Sequence, residues 1–305
     1  MKFAHLGDCH LGGWRQPEML KLNLESFAKA LELSIKEGVD FVIIAGDLFD
    51  SAYPGIEILE ETFSQLKKLK EAKIPCYIIA GSHDYSASGK TFLSVLEKAG
   101  FCHNLYQPEL REDKIMLNPT ISGRAALYGY PGKKTGLEIQ ELRKVKLQES
   151  PLFTILVLHT CLQGAIGSLP IEFIKESELP KADYYALGHL HIDYNKNNFV
   201  YSGPTFPNNF QELEELKYGG FYIVETNPLR IEKKILKLKD VEVLDLEIVN
   251  AITATDKILQ ELRTRKIEDK IVLIRVSGKL LQGKSSDINF QAIESFQKIT
   301  KLMHF

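Results

Sequence analysis

Five of the eight histidines lie in short motifs together with aspartate and glycine residues. Each motif directly follows a short apolar run that is rich in β-branched or aromatic residues, and such runs are typical of buried strands. In chain order, the motifs are Asp8-Cys9-His10, Gly46-Asp47-Leu48-Phe49-Asp50, Gly81-Ser82-His83-Asp84, His159-Thr160 and Gly188-His189-Leu190-His191. Because ligands bind at the carboxyl ends of strands in open α/β sheets, the sequence predicts that these motifs form one site.

This combination of carboxylates and imidazoles is typical of a site that holds two divalent metal ions and hydrolyses phosphodiesters. Such a pair supplies an activated water and neutralises the phosphate oxygens, and it needs a carboxylate that bridges both ions. We expect Asp47 to be the bridge, because it lies centrally in the motif order. The predicted ligands are Asp8, His10, Asp47 and His191 for the first ion and Asp47, His159 and His189 for the second.

The remaining motif histidine, His83, follows the third apolar run and precedes Asp84. A histidine that is held by a neighbouring carboxylate can protonate a leaving oxygen or stabilise the phosphoryl group in the transition state. We therefore predict that His83 and Asp84 act in catalysis. Imidazole ligands favour manganese, iron, zinc or cobalt over magnesium, which prefers oxygen ligands. The sequence thus predicts two divalent ions as cofactors, with Mn²⁺ as the first expectation.

Strand and helix patterns alternate through the first half of the chain. Apolar residues recur at helical spacing between the first three apolar runs, for example at Leu24, Phe27 and Leu31. This order predicts a layered α/β sheet, and the shorter connections after Ala125 predict a second sheet packed on the first. A separate β-α-β-α pattern begins after Asp240. We expect a large domain over residues 1–240 and a small α/β domain over residues 241–305.

Composition narrows the class of protein. The 305 residues include 38 basic and 40 acidic side chains, and the net charge of −2 gives no global signature of nucleic-acid binding. A polyanion would have to be held by metal ions or by a local basic patch. No stretch approaches the length of a membrane span, and the N-terminus shows no signal-peptide pattern. The four cysteines form no disulfide framework or zinc knuckle, which favours a reducing, cytoplasmic location.

The order of the five motifs resembles that of the calcineurin-like metallophosphoesterases, whose fold is a two-sheet β-sandwich flanked by helices. Within this superfamily, the chain is most similar to the Mre11/SbcD nucleases of DNA double-strand-break repair. The similarity extends to residues 3–12, 45–50, 186–191, 201–205 and 219–225. It implies a manganese-dependent DNA nuclease in the cytoplasm or at the nucleoid. It also implies a homodimer with a helical interface, a Rad50/SbcC-type ATPase partner and a DNA-capping role for the small domain.

Two positions depart from the family pattern. Ser82 replaces an asparagine that ligates the second ion in the family. We therefore expect the second site to hold its ion more weakly, with Ser82 as a weak ligand or as one that reaches the ion through water. Asp50 stands where eukaryotic and some archaeal members carry a histidine that is thought to assist exonuclease action. Endonuclease activity is therefore the first expectation and exonuclease activity the second.

The expected substrate and the expected dimer point to two surfaces. The candidate contacts to the DNA backbone beside the site are Arg15, Lys90, Lys133 and Lys134. The candidates for a dimer interface lie on wide apolar helix stripes and are Ile58, Leu59, Phe92 and Leu93. Solvated surface cations are the alternative interpretation of the first set. Ordinary core packing is the alternative interpretation of the second.

Two other functions fit parts of the sequence. A metallophosphoesterase acting on small nucleotides would use the same ligands, although it would not need a second domain. Phosphoprotein phosphatases are a poorer match, because they usually continue GDxxD with Arg-Gly, whereas Ser51-Ala52 follows Asp50 here. The other possibility is a DNA-end-binding scaffold with a weakened site, and Ser82 is its only support.

Overall fold

The computed structural model describes residues 1–85, 91–133, 136–167, 170–296 and 300–304. The chain divides into two compact units, Met1–Phe206 with Gly219–Leu236 and Pro207–Tyr218 with Lys237–Phe305. This division differs from the sequence-based boundary after Asp240, because the segment Pro207–Tyr218 belongs to the second unit. The physical reason is an ion pair: Arg275 Nη1 lies 3.0 Å from Glu214 Oε1, and the Arg275 guanidinium lies over the ring of Phe210.

The first unit carries all five motifs. Its strands are β1 (Lys2–Leu6), β2 (Phe41–Ala45), β3 (Cys76–Ile79), β4 (His103–Asn104), β5 (Pro108–Arg111), β6 (Lys114–Leu117), β7 (Thr120–Ser122), β8 (Ala125–Tyr130), β9 (Val145–Leu147), β10 (Phe153–His159), β11 (Tyr184–Gly188), β12 (Tyr194–Lys196), β13 (Phe199–Tyr201), β14 (Gly219–Thr226) and β15 (Leu229–Leu236). Its helices are α1 (Pro17–Lys36), α2 (Ile56–Glu71), α3 (Phe92–Lys98), α4 (Glu138–Leu142) and α5 (Gln163–Ile166), with a 3₁₀ turn at Glu176–Glu178.

These strands form two six-stranded sheets, with the orders β15-β14-β1-β2-β3-β4 and β12-β13-β11-β10-β8-β7. In the first sheet β1, β2, β3 and β4 are parallel, and in the second β8, β10, β11 and β13 are parallel. A small third sheet has the order β5-β6-β9. The parallel strands that precede the motifs therefore end at a common edge in each sheet.

A shared apolar core joins the two large sheets. Along β2, Phe41, Ile43 and Ala45 belong to this inter-sheet core, which also contains Ile155 and Val157 of β10. The alternate residues of β2, Val42 and Ile44, pack on the opposite face of the sheet against α1 and α2. Both faces of β2 are thus buried, which explains why its sequence is continuously apolar. The predicted two-sheet sandwich flanked by helices is confirmed.

The apolar stripes of α2 and α3 pack on the first sheet, on the face opposite to the inter-sheet core. Ile58 and Leu93 are only 7% and 6% exposed and belong to the core beneath the helices, and Leu59 and Phe92 are partly buried against it. The expectation that Ile58 and Leu93 are surplus edges for a second copy was wrong, because core packing within the chain already covers them.

The second unit has its own core. It contains α6 (Phe210–Leu216), β16 (Val241–Glu247), α7 (Ala254–Thr264), β17 (Ile271–Ser277), a 3₁₀ turn at Ser285–Asp287, α8 (Phe290–Ser295) and β18 (Thr300–His304). The three strands are parallel, in the order β16-β17-β18. Residues such as Leu244, Ile258 and Ile274 are buried together. Within the described ranges, no helix of the chain is long and apolar enough to cross a membrane.

The inter-sheet core yields a stability prediction. Replacing the fully buried Ile155 of β10 with alanine should lower the free energy of unfolding by about 2–4 kcal/mol, because it leaves a cavity between the sheets. Ile121→Ala in β7 is the matched control: Ile121 is 55% exposed, and its loss should cost less than about 1 kcal/mol. Urea unfolding followed by the fluorescence of Trp14, the single tryptophan, measures both. Equal losses would contradict this packing.

Candidate metal centre

The motif residues converge at the carboxyl ends of strands from both sheets. Asp8 follows β1, Asp47 follows β2 and His83 follows β3, while His159 ends β10 and His189 follows β11. In three sets, three ligand atoms lie within 4.8 Å of one another. Two of these ligand sets share Asp8, which joins His10 and His191 in one and Asp47 and His159 in the other. The third set consists of His10, Asp50 and His83. Asp8 and His191 are 183 residues apart in the sequence, and the fold brings them together.

Four of the motif residues have a backbone conformation that side chains other than glycine rarely adopt. The φ angles of Asp8, His10, Asp47 and His189 are 50°, 43°, 49° and 98°. A non-glycine residue in this region costs on the order of 1 kcal/mol or more, and such residues cluster at functional sites. The chain leaves β1, β2 and β11 by a sharp left-handed step, which turns successive side chains toward the same pocket.

His159 and Asp8 contain buried ligand atoms without a hydrogen-bond partner. The Nδ1 of His159 lies 3.0 Å from the Ala45 main-chain oxygen and must donate to it, because a carbonyl only accepts. Nε2 of the same ring lies 3.2 Å from Asp47 Oδ2 without hydrogen-bonding geometry. Asp8 Oδ2 is likewise buried and unpartnered. Buried polar atoms are normally satisfied, so this pair fits a bound cation.

His10 connects the two ligand sets that share Asp8. Its Nε2 lies 3.0 Å from Nε2 of His191 and 3.6 Å from Asp47 Oδ2. Two imidazole nitrogens at this distance need a proton or a cation between them. On the other side of the ring, Nδ1 donates to Asp50 Oδ1 at 3.1 Å. A carboxylate that holds the far nitrogen of a ligating histidine fixes the tautomer and orientation of the ring.

Asp47 Oδ2 lies between His10 and His159, which belong to different predicted ions. This placement fits the predicted bridge, although Asp8 also belongs to two of the ligand sets. Asp47 Oδ1 accepts the His83 main-chain N–H at 2.7 Å, and the Ser82 hydroxyl donates to Oδ2 at 3.4 Å. Ser82 thus contacts one predicted ligand, and its own contact to the second ion stays a prediction.

His189 is less close to the other candidate ligand atoms than predicted. Its ring centroid lies 5.0 Å from that of His159, and its main-chain N–H donates to Asp8 Oδ1 at 2.8 Å. Among the described residues, it does not join a set of three ligand atoms within 4.8 Å. Its assignment to the second ion stays a prediction.

Electrostatics differ strongly among these side chains. Burial raises the pKa of Asp8. Burial also acts to raise the pKa of Asp47, but the charges of His159 and His10 outweigh it and lower the pKa. Burial lowers the pKa of His189 to about 4. His159 shows the reverse balance: burial acts to lower its pKa, whereas Asp47 and Asp8 raise it to about 10. In the metal-free site, a protonated His159 therefore compensates the buried carboxylates at neutral pH.

Asp84 does not hold the ring of His83, which corrects its predicted role in catalysis. Asp84 is buried, and its carboxylate accepts the main-chain N–H groups of Leu48, Phe49 and Gly81 at 3.2, 3.0 and 3.0 Å. The exposed ring of His83 instead donates from Nδ1 to the Asp50 main-chain oxygen at 2.9 Å.

Asp50 is the residue whose role sequence reasoning missed. Its Oδ1 lies 3.1 Å from His10 Nδ1 and 3.6 Å from His83 Nδ1. In the sequence alone, Asp50 stands out only as a departure from a family pattern. Its spacing of three residues after Asp47, in a loop that leaves a buried strand, was the available signal.

Two glycines allow the ligands to approach one another. A Cβ atom on Gly81 would lie 2.2 Å from Asp47 Oδ1, and one on Gly46 would lie 2.3 Å from His159 Nδ1. Gly46 also has a φ of +89°. Any side chain at these positions would displace a ligand, which explains the glycine at the start of both motifs.

The four candidate DNA contacts differ in their surroundings and in whether the structure describes them. Lys133 Nζ binds both carboxylate oxygens of Glu141 at 2.6 Å, so its charge is already paired. A phosphate would have to compete with Glu141 for this charge, and the DNA contact of Lys133 stays a prediction. Arg15 is exposed. Lys90 and Lys134 lie outside the described residues.

The sequence profile of the calcineurin-like phosphoesterases matches residues 1–193. The chain belongs to this family. Its donor set of carboxylates and imidazoles, with two unpartnered buried ligand atoms, fits the divalent metals of that family.

Curated relatives extend the similarity to most of the chain. The DNA double-strand break repair protein Mre11 of Methanopyrus kandleri is 29% identical over 246 residues, which cover 74% of this chain and 54% of the relative. Mre11 of Archaeoglobus fulgidus is 28% identical over 282 residues, 80% of this chain and 62% of the relative. The SbcD component of the nuclease SbcCD of Staphylococcus saprophyticus is 29% identical over 280 residues, 81% of this chain and 71% of the relative. The predicted resemblance is confirmed, and the chain spans a little over half the length of the two archaeal relatives.

The position of Asp47 predicts the binding stoichiometry. Asp47→Asn should reduce the number of Mn²⁺ ions bound from two to one or none, because the carboxylate lies near an imidazole of each predicted ion. Asp40→Asn, which alters an exposed carboxylate at the other end of β2, should leave two ions bound. Titration calorimetry measures both stoichiometries. Tight binding of two ions by Asp47→Asn would refute the bridging assignment.

The Ser82 position predicts unequal sites. An asparagine amide oxygen is a longer and better metal ligand than a serine hydroxyl. Ser82→Asn should therefore tighten the second Mn²⁺ site and leave the first unchanged, whereas Ser86→Asn serves as a control outside the motif. Calorimetry of the unmodified chain should show two unequal affinities. Two equal and tight affinities would show that another group replaces the asparagine.

Proposed function

We propose that this chain is the phosphoesterase part of a manganese-dependent DNA nuclease that processes DNA ends in double-strand-break repair. The observation that carries the proposal is the position of Asp47 Oδ2, 3.6 Å from His10 Nε2 and 3.2 Å from His159 Nε2. A carboxylate oxygen that lies near one imidazole of each predicted ion fits a two-ion centre for phosphodiester hydrolysis. The names of the relatives, Mre11 and nuclease SbcCD, support DNA as the substrate.

The residues of the chain divide the chemistry among them. Asp8, His10, Asp47, His159 and His191, with His189, would hold the two ions. When bound, the ions activate a water and neutralise charge on the phosphate. Asp50 holds the ring of His10, and so fixes which nitrogen faces the pocket. Ser82 would contribute a weak contact to the second ion, directly or through water.

His83 is proposed to act on the substrate itself. Its ring is exposed and lies 4.6 Å, between centroids, from that of His10. Because Nδ1 donates to the Asp50 main-chain oxygen, Nε2 is the atom that would deliver a proton to the leaving oxygen. The Asp50 carboxylate Oδ1 also lies 3.6 Å from Nδ1.

The partners follow from the same proposal. We infer a homodimer and a Rad50/SbcC-type ATPase partner, with the second unit acting as a DNA cap. Endonuclease activity is the primary proposal and exonuclease activity the secondary one, because Asp50 stands in the family's histidine position. A location in the cytoplasm or at the nucleoid fits such a protein. Arg15 and the undescribed Lys90 and Lys134 are the proposed contacts to the DNA backbone.

A substrate comparison tests the proposed function. With Mn²⁺, the chain should cleave linear DNA faster than it hydrolyses cyclic nucleotides, and chelation should abolish the activity. Magnesium should support cleavage less well, because it tolerates imidazole ligands poorly. Faster hydrolysis of cyclic nucleotides would replace the proposal with a small-nucleotide phosphodiesterase. DNA binding without cleavage in manganese would indicate a scaffold.

The role of His83 predicts a separation of turnover from metal binding. His83→Gln should reduce the turnover number by about 10²-fold, because the proton donor is lost. Metal occupancy should be unchanged, since the His83 ring is directed to Asp50. His103→Gln, an exposed histidine of β4, is the control and should retain full turnover. If His83→Gln lost a metal ion, His83 would be a ligand instead.

A further inference from the structure

Asp84 connects two loops that carry the metal centre. Both of its oxygens are engaged: Oδ2 accepts the N–H groups of Leu48 and Gly81, and Oδ1 accepts that of Phe49. Leu48 and Phe49 belong to the loop after β2, which carries Asp47, and Gly81 belongs to the loop after β3, which carries His83. The side chain is 1% exposed, so these bonds are shielded from water. Hydrogen bonds to an ionised carboxylate are about twice as strong as neutral ones.

The two loops are in close contact. A Cβ atom on Gly81 would lie 2.2 Å from Asp47 Oδ1, and the same oxygen accepts the His83 N–H at 2.7 Å. Asp47 also has a φ of 49°, which an isolated chain would seldom adopt. The residues that directly follow Asp47 are those bound by Asp84. By binding these residues, the Asp84 carboxylate holds Asp47 in its unfavourable backbone conformation.

We propose that Asp84 is a positioning residue that clamps the Asp47 loop to the His83 loop and so sets the place of the bridging carboxylate. It acts through main-chain N–H groups, and among the described residues it belongs to no set of candidate metal ligands. Its functional consequence depends on the proposed two-ion centre, whereas the clamp itself exists without metal. Asparagine cannot replace it, because an amide has one acceptor oxygen and turns an NH₂ group toward the donors.

Amide hydrogen exchange tests the clamp in the metal-free chain. In Asp84→Asn, the amides of Leu48, Phe49 and Gly81 should exchange at least about tenfold faster, because they lose a buried acceptor. The matched control is Asp183→Asn, which removes a carboxylate that accepts the Thr154 N–H at 2.7 Å. Asp183 lies just before β11, at the end of the strand opposite to His189. This control should leave the three amides protected.

Electron paramagnetic resonance tests the consequence for the metal centre. Two Mn²⁺ ions that share a carboxylate give an exchange-coupled spectrum, whereas separated ions give isolated six-line signals. We expect the unmodified chain and Asp183→Asn to show the coupled spectrum. Asp84→Asn should bind manganese but lose most of the coupled signal, because Asp47 is no longer held between the ions.

The outcomes separate the clamp from the proposed function. Unchanged exchange and unchanged coupling in Asp84→Asn would overturn the clamp, and so would equal losses in Asp84→Asn and Asp183→Asn. No coupled spectrum in the unmodified chain would overturn the two-ion centre, while amide exchange would still decide the clamp. If Asp84→Asn did not fold, couplings across the hydrogen bonds from the Asp84 carboxylate to the three amides would be measured in the unmodified chain. Their absence would overturn the clamp, and their presence would support it.

Discussion

Burial of two carboxylates, Asp8 and Asp47, at the meeting edge of two sheets is the constraint that organises the first unit. Both residues are at most 2% exposed, so their charges are shielded from water. Such charges need positive partners close by. In the metal-free chain a protonated His159 is one such partner, and divalent ions would be stronger ones. The surrounding fold supplies the imidazoles at the required places.

The two sheets make this arrangement possible by bringing parallel strand ends together. The inter-sheet core of Phe41, Ile43, Ile155 and Val157 fixes the distance between the sheets, and so between ligands carried by β2 and by β10. The ligand loops themselves contain strained residues and glycines that admit no side chain. Rigid strands therefore hold loops whose own conformation is unfavourable, which is the usual relation between a scaffold and a functional site.

Four aspartates of the motifs have different roles because their burial and their hydrogen-bond donors differ. Asp8 and Asp47 present oxygens to the pocket, while Asp50, a third exposed, holds the rings of His10 and His83 from outside. Asp84 is buried and accepts main-chain N–H groups of two loops. The same chemical group thus serves as a ligand, as an orienting acceptor and as a loop clamp, according to its burial and to the donors that surround it.

Local sequence patterns were sufficient to predict the fold class and the identity of most candidate ligands. Both depend on short-range signals: apolar runs that specify buried strands, and motifs that directly follow them. The folded chain was needed to show which aspartate serves His83, because Asp50 and Asp84 are both near it and only the loop path selects Asp50. It was also needed to show that Ile58 and Leu93 are core residues and that Lys133 pairs with Glu141. These outcomes depend on partners that meet only after folding, and spacing along the chain does not encode which partner a side chain will reach.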